Sequence, residues 1–358
     1  MDKMHLLNLG KLPGQQSMLV FHALARLGYE GIVVVSPQDP LASIGYFQDA
    51  EKEIDLEACK KMNIPVMRRE VGGGATYLDG NQIFYQVIWG RKNPRFPKKI
   101  NEIFEFLSQP PCETYREIGI DTHFEAANDI VTNEGRKIAG EGGGDIGNAM
   151  VFVGGILMEF DCETMSRILK VPDEKFRDKV FGSMEENITT IKRELGTVPE
   201  RKYIVSTLIE QYEKILGRLE RVHLGSHTLK MMVELERWFT SESFLFKKTP
   251  RIPKGVKIRE GIEILYSTYK ATGGLIRTTQ EVKSGRIEDI SITGDFQFYP
   301  KSELEFMEKQ LITTTHKEGL ISKKIEEFYD QHQIETPGVE PEDFANAIMI
   351  TERGETTR

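Results

Sequence analysis

Residues 68–79 read Arg-Arg-Glu-Val-Gly-Gly-Gly-Ala-Thr-Tyr-Leu-Asp, so two adjacent arginines stand just before three consecutive glycines. The run from Val66 to Val71 is predicted to be extended, and the glycines to form the loop at the end of that strand. Because glycine has no Cβ, backbone N–H groups can approach an anion closely, and arginine offers a planar fork of donors that suits carboxylate or phosphate. The stretch therefore predicts a site for an acyl phosphate; the alternative interpretation is a surface turn with incidental arginines.

A second polar stretch covers residues 128–140 and reads Asn-Asp-Ile-Val-Thr-Asn-Glu-Gly-Arg-Lys-Ile-Ala-Gly. The Asn-Asp pair opens one predicted strand, and Lys137 lies on the next, across a turn at residues 133–135. A carboxylate can hold Mg²⁺ against nucleotide phosphates, and a lysine can stabilise the charge that develops on an α-phosphate. These residues favour adenylation chemistry, although a lysine on a hairpin and an aspartate near a turn are also common on solvated surfaces.

The predicted elements around these two stretches do not alternate regularly between strand and helix. Further strands are predicted at residues 32–35, 41–44, 82–89 and 149–160. Helices are predicted at residues 15–27 and from Ile100 to a stop at Pro110-Pro111, and residues 163–245 are largely helical. This order predicts an α+β fold.

Two domains are expected, because 358 residues exceed the size at which one hydrophobic core usually keeps growing. The segment 247–254 combines two prolines with clustered charge, which is typical of an exposed boundary. We therefore predict domains at residues 1–250 and 251–358. The second is expected to contain a hairpin whose strands are joined across residues 283–286, and a capping box from Ser302 to Glu305 that opens a helix.

Composition limits the partners and the compartment. The 47 basic and 55 acidic residues give a net charge of −8, which argues against general attraction to nucleic acid. The three cysteines lie far apart and form no Cys-x-x-Cys pair, as suits a reducing compartment. No leader-like or membrane-length apolar run is evident. We predict a cytoplasmic protein with neither nucleic acid nor membrane as a partner.

The two polar stretches, in this order and about 60 residues apart, resemble the lipoate-protein ligase family within the biotin and lipoate ligase superfamily. Residues 68–79 resemble its Arg-Arg-x-x-Gly-Gly-Gly loop, and residues 137–140 its Lys-Ile-Ser/Ala-Gly segment. Residues 44–48 are similar to its Ile-Gly-x-x-Gln segment. Residues 273–277 and 292–296 look like its carboxy-terminal accessory domain.

The resemblance implies a catalytic domain with the mixed sheet of biotin and lipoate ligases, followed by a small α+β accessory domain. It implies a reaction in which lipoate and ATP, with Mg²⁺, give lipoyl-adenylate, whose acyl group passes to a lysine of a carrier. The carriers implied are lipoyl domains of 2-oxoacid dehydrogenase E2 subunits or the glycine cleavage H protein. The accessory domain is expected to support adenylation or to move during turnover.

The resemblance also implies roles for individual residues, with Lys137 as the catalytic residue that contacts the carboxyl and phosphate oxygens. The residues implied in acyl-substrate binding are Arg68, Arg69, Gly72, Gly73, Gly74, Ala75 and Asp79. Those implied in ATP binding are Tyr77, Asn128, Asp129, Lys137, Ala139 and Gly140, with Asp129 also beside Mg²⁺. Residues 141–149, which depart from the family pattern, are expected to form the loop on the adenine side.

Two alternatives stay open at this point. Related octanoyltransferases form an acyl-cysteine intermediate from an acyl-carrier thioester without ATP, and Cys112 and Cys162 are the candidates for such a nucleophile. Cys162 is predicted at a helix start, where the helix dipole would lower its pKa. A non-catalytic carrier-binding homologue is the other alternative. The sequence does not choose between lipoate and octanoate as the acid.

Overall fold

The structure is a computed structural model that describes residues 4–250 and 262–350, together with the backbone of residues 352–353. The elements up to residue 250 are β1 (His5–Leu12), α1 (Gly14–Arg26), β2 (Gly31–Pro37), β3 (Leu41–Ile44), α2 (Ala50–Glu53), α3 (Leu56–Lys61), β4 (Val66–Arg68), β5 (Thr76–Leu78), β6 (Gln82–Gly90), α4 (Ile100–Glu117), β7 (Thr122–Glu125), β8 (Asp129–Thr132), β9 (Lys137–Ile146), β10 (Ala149–Leu157), α5 (Cys162–Ile168), α6 (Glu174–Asn187), α7 (Ile191–Leu195), α8 (Arg201–Leu216), β11 (Glu220–Arg221), α9 (Ser226–Phe239) and α10 (Glu242–Leu245). The later elements are β12 (Ile262–Ala271), β13 (Gly274–Lys283), β14 (Arg286–Gly294), α11 (Glu303–Leu311), α12 (Glu318–His332), α13 (Pro341–Met349) and β15 (Glu352–Arg353).

An eight-stranded mixed sheet lies at the centre of the first 250 residues, in the order β11-β1-β2-β6-β10-β9-β8-β7. β1 runs parallel to β2 and β11, whereas the other neighbouring strands are antiparallel. Every residue of β2 is buried, as expected for a strand that is covered on both faces. Helices α1 and α9 pack on one face, and α4 and α8 pack on the other.

A small three-stranded sheet holds the arginine and glycine motif beside the large sheet. β3 pairs parallel with β4 and antiparallel with β5. The loop from Arg69 to Ala75 connects β4 to β5, as the run of glycines predicts. We call these seven residues the glycine loop.

Helix α4 does not end at Pro110-Pro111, so that prediction is wrong: the helix continues through both prolines to Glu117. Proline lacks the N–H that would bond to the carbonyl four residues earlier, so Pro111 leaves the Leu107 carbonyl without its helical donor. The buried hydroxyl of Tyr212 on α8 donates to that carbonyl at 3.1 Å. Tertiary packing therefore compensates for a residue type that local propensity treats as a stop.

Strands β12, β13 and β14 form an antiparallel sheet with β15; helices α11 and α13 pack against it, and α12 packs on these two helices. The predicted hairpin is confirmed, because Lys283 pairs with Arg286 across Ser284 and Gly285, which both have positive φ. The predicted capping box is wrong. Ser302 does precede α11, but it has helical backbone angles and makes no capping bond through its side chain.

The later elements pack directly on the earlier ones. Phe47, which follows β3, stacks on Phe296 with 5.3 Å between ring centroids. Arg277 on β13 forms an ion pair with Glu53 on α2. Residues 251–254 of the predicted boundary segment lie outside the described residues, so the division of the chain at that point stays a proposal. Among the residues that the structure describes, no helix has the length and apolar character needed to span a bilayer.

Candidate active site

A cavity of about 270 Å³ lies between the glycine loop and one face of the large sheet. Among the predicted site residues, those that line it are Arg69, Gly73, Gly74, Ala75, Tyr77, Asn128, Lys137 and Gly140. The apolar side chains that line it are Met18, Phe21, Leu78, Phe84, Val153, Leu157, Phe160, Met165, Met184 and Ile188. The cavity therefore joins a polar end, suited to an anion, to an apolar body suited to an aliphatic chain.

Arg69 is a buried cation without an acidic partner in the described part of the chain. Its side chain is 7% exposed and donates to the carbonyls of Gly72 and Gly74 at 2.9 and 2.8 Å. Burial lowers the pKa of Arg69 to about 10, so the guanidinium is still protonated at neutral pH. Because a buried charge is costly unless it is paired, this site is electrostatically complementary to an anion that enters the cavity.

Lys137 and Asp129 meet at the edge of the same cavity. The Lys137 Nζ lies 2.6 Å from the Asp129 Oδ1, and both side chains are partly exposed. The β8–β9 hairpin sets this arrangement, because Asp129 pairs with Gly140 and places the carboxylate beside the lysine. Asp129 does not itself line the cavity, but it holds the lysine that does.

Asn128 ties β9 to the segment before β8. The Asn128 side-chain Nδ2 donates to the backbone carbonyl of Glu141 at 2.6 Å. The backbone carbonyl of Asn128 accepts from the Glu141 N–H at 2.8 Å. The Glu141 side chain lies in a buried polar group, where it accepts from the Tyr85 hydroxyl at 2.6 Å and from Ser108. Burial raises the pKa of Glu141 to about 8.

The expected adenine-side loop at residues 141–149 is wrong, because β9 continues without a break to Ile146. Close packing explains the glycines of this strand. A Cβ at Gly143 would lie 2.7 Å from the Tyr299 hydroxyl, and a Cβ at Gly144 would lie 3.0 Å from the Glu70 carbonyl oxygen. The absence of side chains at these glycines therefore lets Tyr299 and the Glu70 backbone pack closely against β9.

Gly143 on β9 forms hydrogen bonds with two loops from different parts of the chain. Gly72 donates its N–H to the carbonyl of Gly143 at 3.2 Å, and Gly143 donates its N–H to the Gln297 Oε1 at 3.3 Å. The N–H of Gly72 is therefore already used, and this residue does not line the cavity. Its N–H holds the glycine loop against β9, and its predicted contact with the substrate stays a prediction.

Arg68 also has a different place from the one predicted. Its guanidinium is fully buried and donates to five main-chain carbonyls, those of Gly45, Tyr46, Gln48, Phe244 and Leu245. Side chains alternate along an extended strand, so adjacent arginines point to opposite sides. Arg68 joins residues 44–48 to α10, whereas Arg69 reaches the cavity.

Two more predicted residues lie away from the cavity. The carboxylate of Asp79 accepts from the Asn81 N–H at 2.8 Å and closes the turn before β6. Ala139 is fully buried in the core that contains α4 and α8. Neither of them lines the cavity, and their predicted substrate and ATP contacts stay predictions.

Sequence reasoning missed the wall of the cavity that α1 and β6 supply. Ser17, Met18 and Phe21 come from α1, and Phe84 and Gln86 come from β6. The alternation of Gln82, Phe84 and Gln86 along β6 was the available signal, because every second residue of a strand faces the same side.

The chain's three cysteines, which all lie within the described residues, do not line the cavity. Burial raises the pKa of Cys59 to about 11 and that of Cys112 to about 12. Cys162 begins α5, as predicted, but its pKa is raised by burial and by nearby acidic groups, so the predicted lowering is wrong. A raised pKa reduces the thiolate fraction and so disfavours each cysteine as a nucleophile.

A buried histidine supports the segment before the glycine loop. His22 on α1 makes a hydrogen bond through Nδ1 to the Met18 carbonyl at 2.9 Å, and its Nε2 is 3.1 Å from the Glu70 N–H. Because the carbonyl only accepts and the N–H only donates, Nδ1 carries the proton and Nε2 is bare. Burial lowers the pKa of His22 to about 3, so the ring is neutral. The Glu70 carboxylate pairs with Arg26 at 2.6 Å and with Lys301 at 3.3 Å.

Comparison with known proteins gives matches over most of the chain. Residues 18–213, more than half of the chain, match the lipoyl protein ligase A/B catalytic domain, and residues 265–348 match the bacterial lipoate protein ligase C-terminus. An octanoyltransferase LipM from Kyrpidia tusciae is 25% identical over 231 residues, which cover 58% of this chain and 84% of that protein. A lipoate-protein ligase from Streptococcus pyogenes is 27% identical over 288 residues, which cover 77% of this chain and 78% of that protein.

Solved structures support the same relationship. A chain of the bipartite lipoate protein ligase system from Thermoplasma acidophilum has a TM-score of 0.62 at 25% identity and covers 71% of this chain and 100% of its own length. The lipoate complex of P. falciparum LipL1 shares the fold, with a TM-score of 0.67 at 15% identity over 90% of this chain and 94% of its own length. These likenesses confirm the predicted mixed-sheet α+β fold. The chain therefore belongs to the lipoyl protein ligase A/B catalytic domain family, and its later part matches the C-terminal domain of bacterial lipoate protein ligases.

Proposed function

We propose that this protein is an ATP-dependent lipoate-protein ligase. In the first step a lipoate carboxylate oxygen attacks the α-phosphorus of ATP, which gives lipoyl-AMP and releases pyrophosphate. In the second step the amine of a carrier lysine attacks the acyl carbon, forms an amide and releases AMP. The proposed carriers are lipoyl domains of 2-oxoacid dehydrogenase E2 subunits or the glycine cleavage H protein.

The observation that carries this proposal is the buried Arg69 charge at the polar end of an otherwise apolar cavity. An acyl-adenylate joins an aliphatic chain to an anionic phosphate, so it fits both ends of such a cavity. A purely apolar ligand would leave the guanidinium unpaired, and this would be costly.

The cavity supports distinct roles for its polar residues. In this proposal Arg69, Gly73, Gly74 and Ala75 contact the mixed anhydride, and Tyr77, Asn128 and Gly140 contact the nucleotide; all seven line the cavity. In this proposal the Lys137 amine moves away from Asp129 and stabilises the charge that develops on the α-phosphate and the acyl oxygen. The enzyme contributes mainly orientation and charge stabilisation, because the nucleophile of the second step belongs to the carrier.

Mg²⁺ fits this site only as an ion held chiefly by phosphates. The described residues contain no group of three or more side chains that could hold a metal by themselves, and Asp129 offers a single carboxylate. Magnesium in nucleotide sites is commonly bound through one or two carboxylates plus substrate phosphates, and it neutralises phosphate charge. Asp129 is the residue that would hold it here.

An octanoyltransferase is the second candidate, and the match to octanoyltransferase LipM proteins favours it. An acyl-cysteine route requires a thiolate within reach of the acyl chain. The cysteines of this chain lie outside the cavity, and burial raises the pKa of each. We therefore prefer the adenylate route to the thioester route.

The test uses the full-length protein, a lipoyl domain and mass spectrometry of that domain. With Mg-ATP and lipoate we expect the mass gain of one lipoyl group, and we expect no gain from an octanoyl-carrier thioester when ATP is omitted. Lys137→Ala should lose the reaction. Lys323→Ala is the control, because Lys323 is also a lysine in an ion pair but is exposed on α12. Acylation from the thioester without ATP would overturn the proposal in favour of the transferase.

A further inference from the structure

One polar group in the apolar part of the cavity has no partner. Gln86 lines the cavity and is 3% exposed. Its Nε2 donates to the Ser17 carbonyl at 2.9 Å, whereas its Oε1 is buried without a hydrogen bond among the described residues. Buried acceptors without a donor are uncommon and unfavourable.

The orientation of this amide is determined by its one hydrogen bond. The Ser17 carbonyl can only accept, so the NH₂ of Gln86 must face it, and the carbonyl of the amide must face the other way. The Ser17 hydroxyl cannot supply the missing donor, because it already donates to the Gly14 carbonyl at 2.6 Å. The neighbouring lining side chains Met18, Phe21, Phe84 and Val153 contain no donor.

Sheet register places Gln86 far from the anion end of the cavity. Gly142, Val153 and Gln86 lie opposite one another on β9, β10 and β6. Because β6 and β9 lie on either side of β10, Gln86 and Gly142 are two strand spacings, or about 10 Å, apart. The Gly142 position in turn is against the glycine loop, since a Cβ there would lie 3.5 Å from the Gly72 oxygen. An acyl chain of octanoyl length that starts at the glycine loop can extend to Gln86.

We propose that Gln86 selects acids that carry a hydrogen-bond donor near the distal end of the acyl chain. This inference rests on the proposed function for the identity of the ligand as an aliphatic carboxylic acid. A terminal hydroxyl or a thiol, as in the reduced dithiol form of lipoate, gives the Oε1 its partner. Octanoate and the cyclic disulfide form of lipoate leave the Oε1 unpaired in a dry pocket.

Calorimetric binding of free acids to the full-length protein tests this selection without requiring turnover. The probes are octanoate, ω-hydroxyoctanoate and dihydrolipoate, and the variants are Gln86→Met and Gln86→Leu, both checked for folding by circular dichroism. In the wild type we expect ω-hydroxyoctanoate to bind roughly tenfold more tightly than octanoate, because a buried acceptor gains a donor. Both variants should abolish this preference. Gln109→Met, which replaces an exposed glutamine on α4 outside the cavity, should keep it.

The outcomes separate this inference from the proposed function. If the wild type binds octanoate and the hydroxy acid equally and Gln86→Met changes neither affinity, the selection is overturned. A preference for dihydrolipoate that Gln86→Met leaves unchanged would overturn it as well. If acids bind with the expected preference but ATP gives no adenylate, the selection stands and the ligase proposal fails.

Discussion

Gly72 donates its backbone N–H to the carbonyl of Gly143 at 3.2 Å, so the loop that carries Arg69 is bonded to the strand that begins with Lys137. The two motifs lie far apart in sequence, and this contact joins them on one side of the cavity. Because Gly143 also bonds to Gln297, the position of the glycine loop depends on the later part of the chain.

Substitution of the two adjacent arginines should affect different properties, activity for Arg69 and folding stability for Arg68. Arg69→Gln removes a cation from the cavity, and we expect acid-dependent ATP–pyrophosphate exchange to fall by about 100-fold, the scale for loss of a charge-stabilising donor. Arg68→Gln takes a donor from several buried carbonyls, and we expect a loss of about 3 kcal/mol in the free energy of unfolding. Denaturant titration and the exchange assay measure both effects. Equal loss of stability in both variants would contradict the assignment.

The contact at Gln297 should connect the later part of the chain to adenylation. Gln297→Leu removes the acceptor for the Gly143 N–H, and we expect the KM for lipoate to rise several-fold while kcat for transfer from purified lipoyl-AMP is little changed. Glu327→Gln, which breaks an exposed ion pair on α12, is the control. An equal loss of adenylation and of transfer activity would indicate general unfolding. Unchanged kinetics in both steps would contradict the link between Gln297 and adenylation.

Stability should fall in mild acid because of His22. The folded pKa is about 3, against an ordinary value of 6.5, so the unfolded chain binds more protons between these values. The free energy of unfolding must therefore decrease as pH falls from about 6.5 toward 3, with a slope of about 1.4 kcal/mol per pH unit from this group.

The matched variant for this effect is His22→Gln, which keeps an acceptor for the Glu70 N–H but cannot titrate. Thermal melts across that pH range should give a shallower acid slope for the variant than for the wild type. Identical slopes would show that His22 does not control the acid sensitivity.

The cysteines should be dispensable for acyl transfer. Cys162→Ala, at the start of α5, and Cys112→Ala are expected to keep lipoylation with ATP within about twofold, because neither thiol lines the cavity. Carrier lipoylation rates measure this expectation. A loss of activity in Cys162→Ala with an unchanged melting temperature would instead support an acyl-cysteine intermediate.

Sequence predicted those parts of the fold and of the site that depend on local spacing. The glycine loop after β4, the β8–β9 hairpin with its lysine, and the Ser284-Gly285 turn all follow from residue types that restrict the backbone locally. The sequence did not separate Arg68 from Arg69, because the side that each faces depends on where β4 lies against β3 and α10. It also gave no sign that Pro110 and Pro111 lie inside a helix, since their compensation comes from Tyr212 on α8.

Long-range packing explains the remaining differences. The glycines of β9 were expected to form a nucleotide loop, but Tyr299 and Glu70 approach them from two other parts of the chain. Gln86 is one of several polar residues on β6 in the sequence. Only the cavity and the unpaired Oε1 distinguish it.

The most direct test of the ligase proposal is to look for the adenylate itself. The full-length protein is incubated with lipoate and Mg-ATP in the absence of any carrier, and the products are analysed by mass spectrometry. The account predicts lipoyl-AMP with an equal amount of pyrophosphate in the wild type, and neither product in Arg69→Gln or Lys137→Ala. Absence of lipoyl-AMP in the wild type, together with carrier acylation from an acyl thioester without ATP, would contradict it.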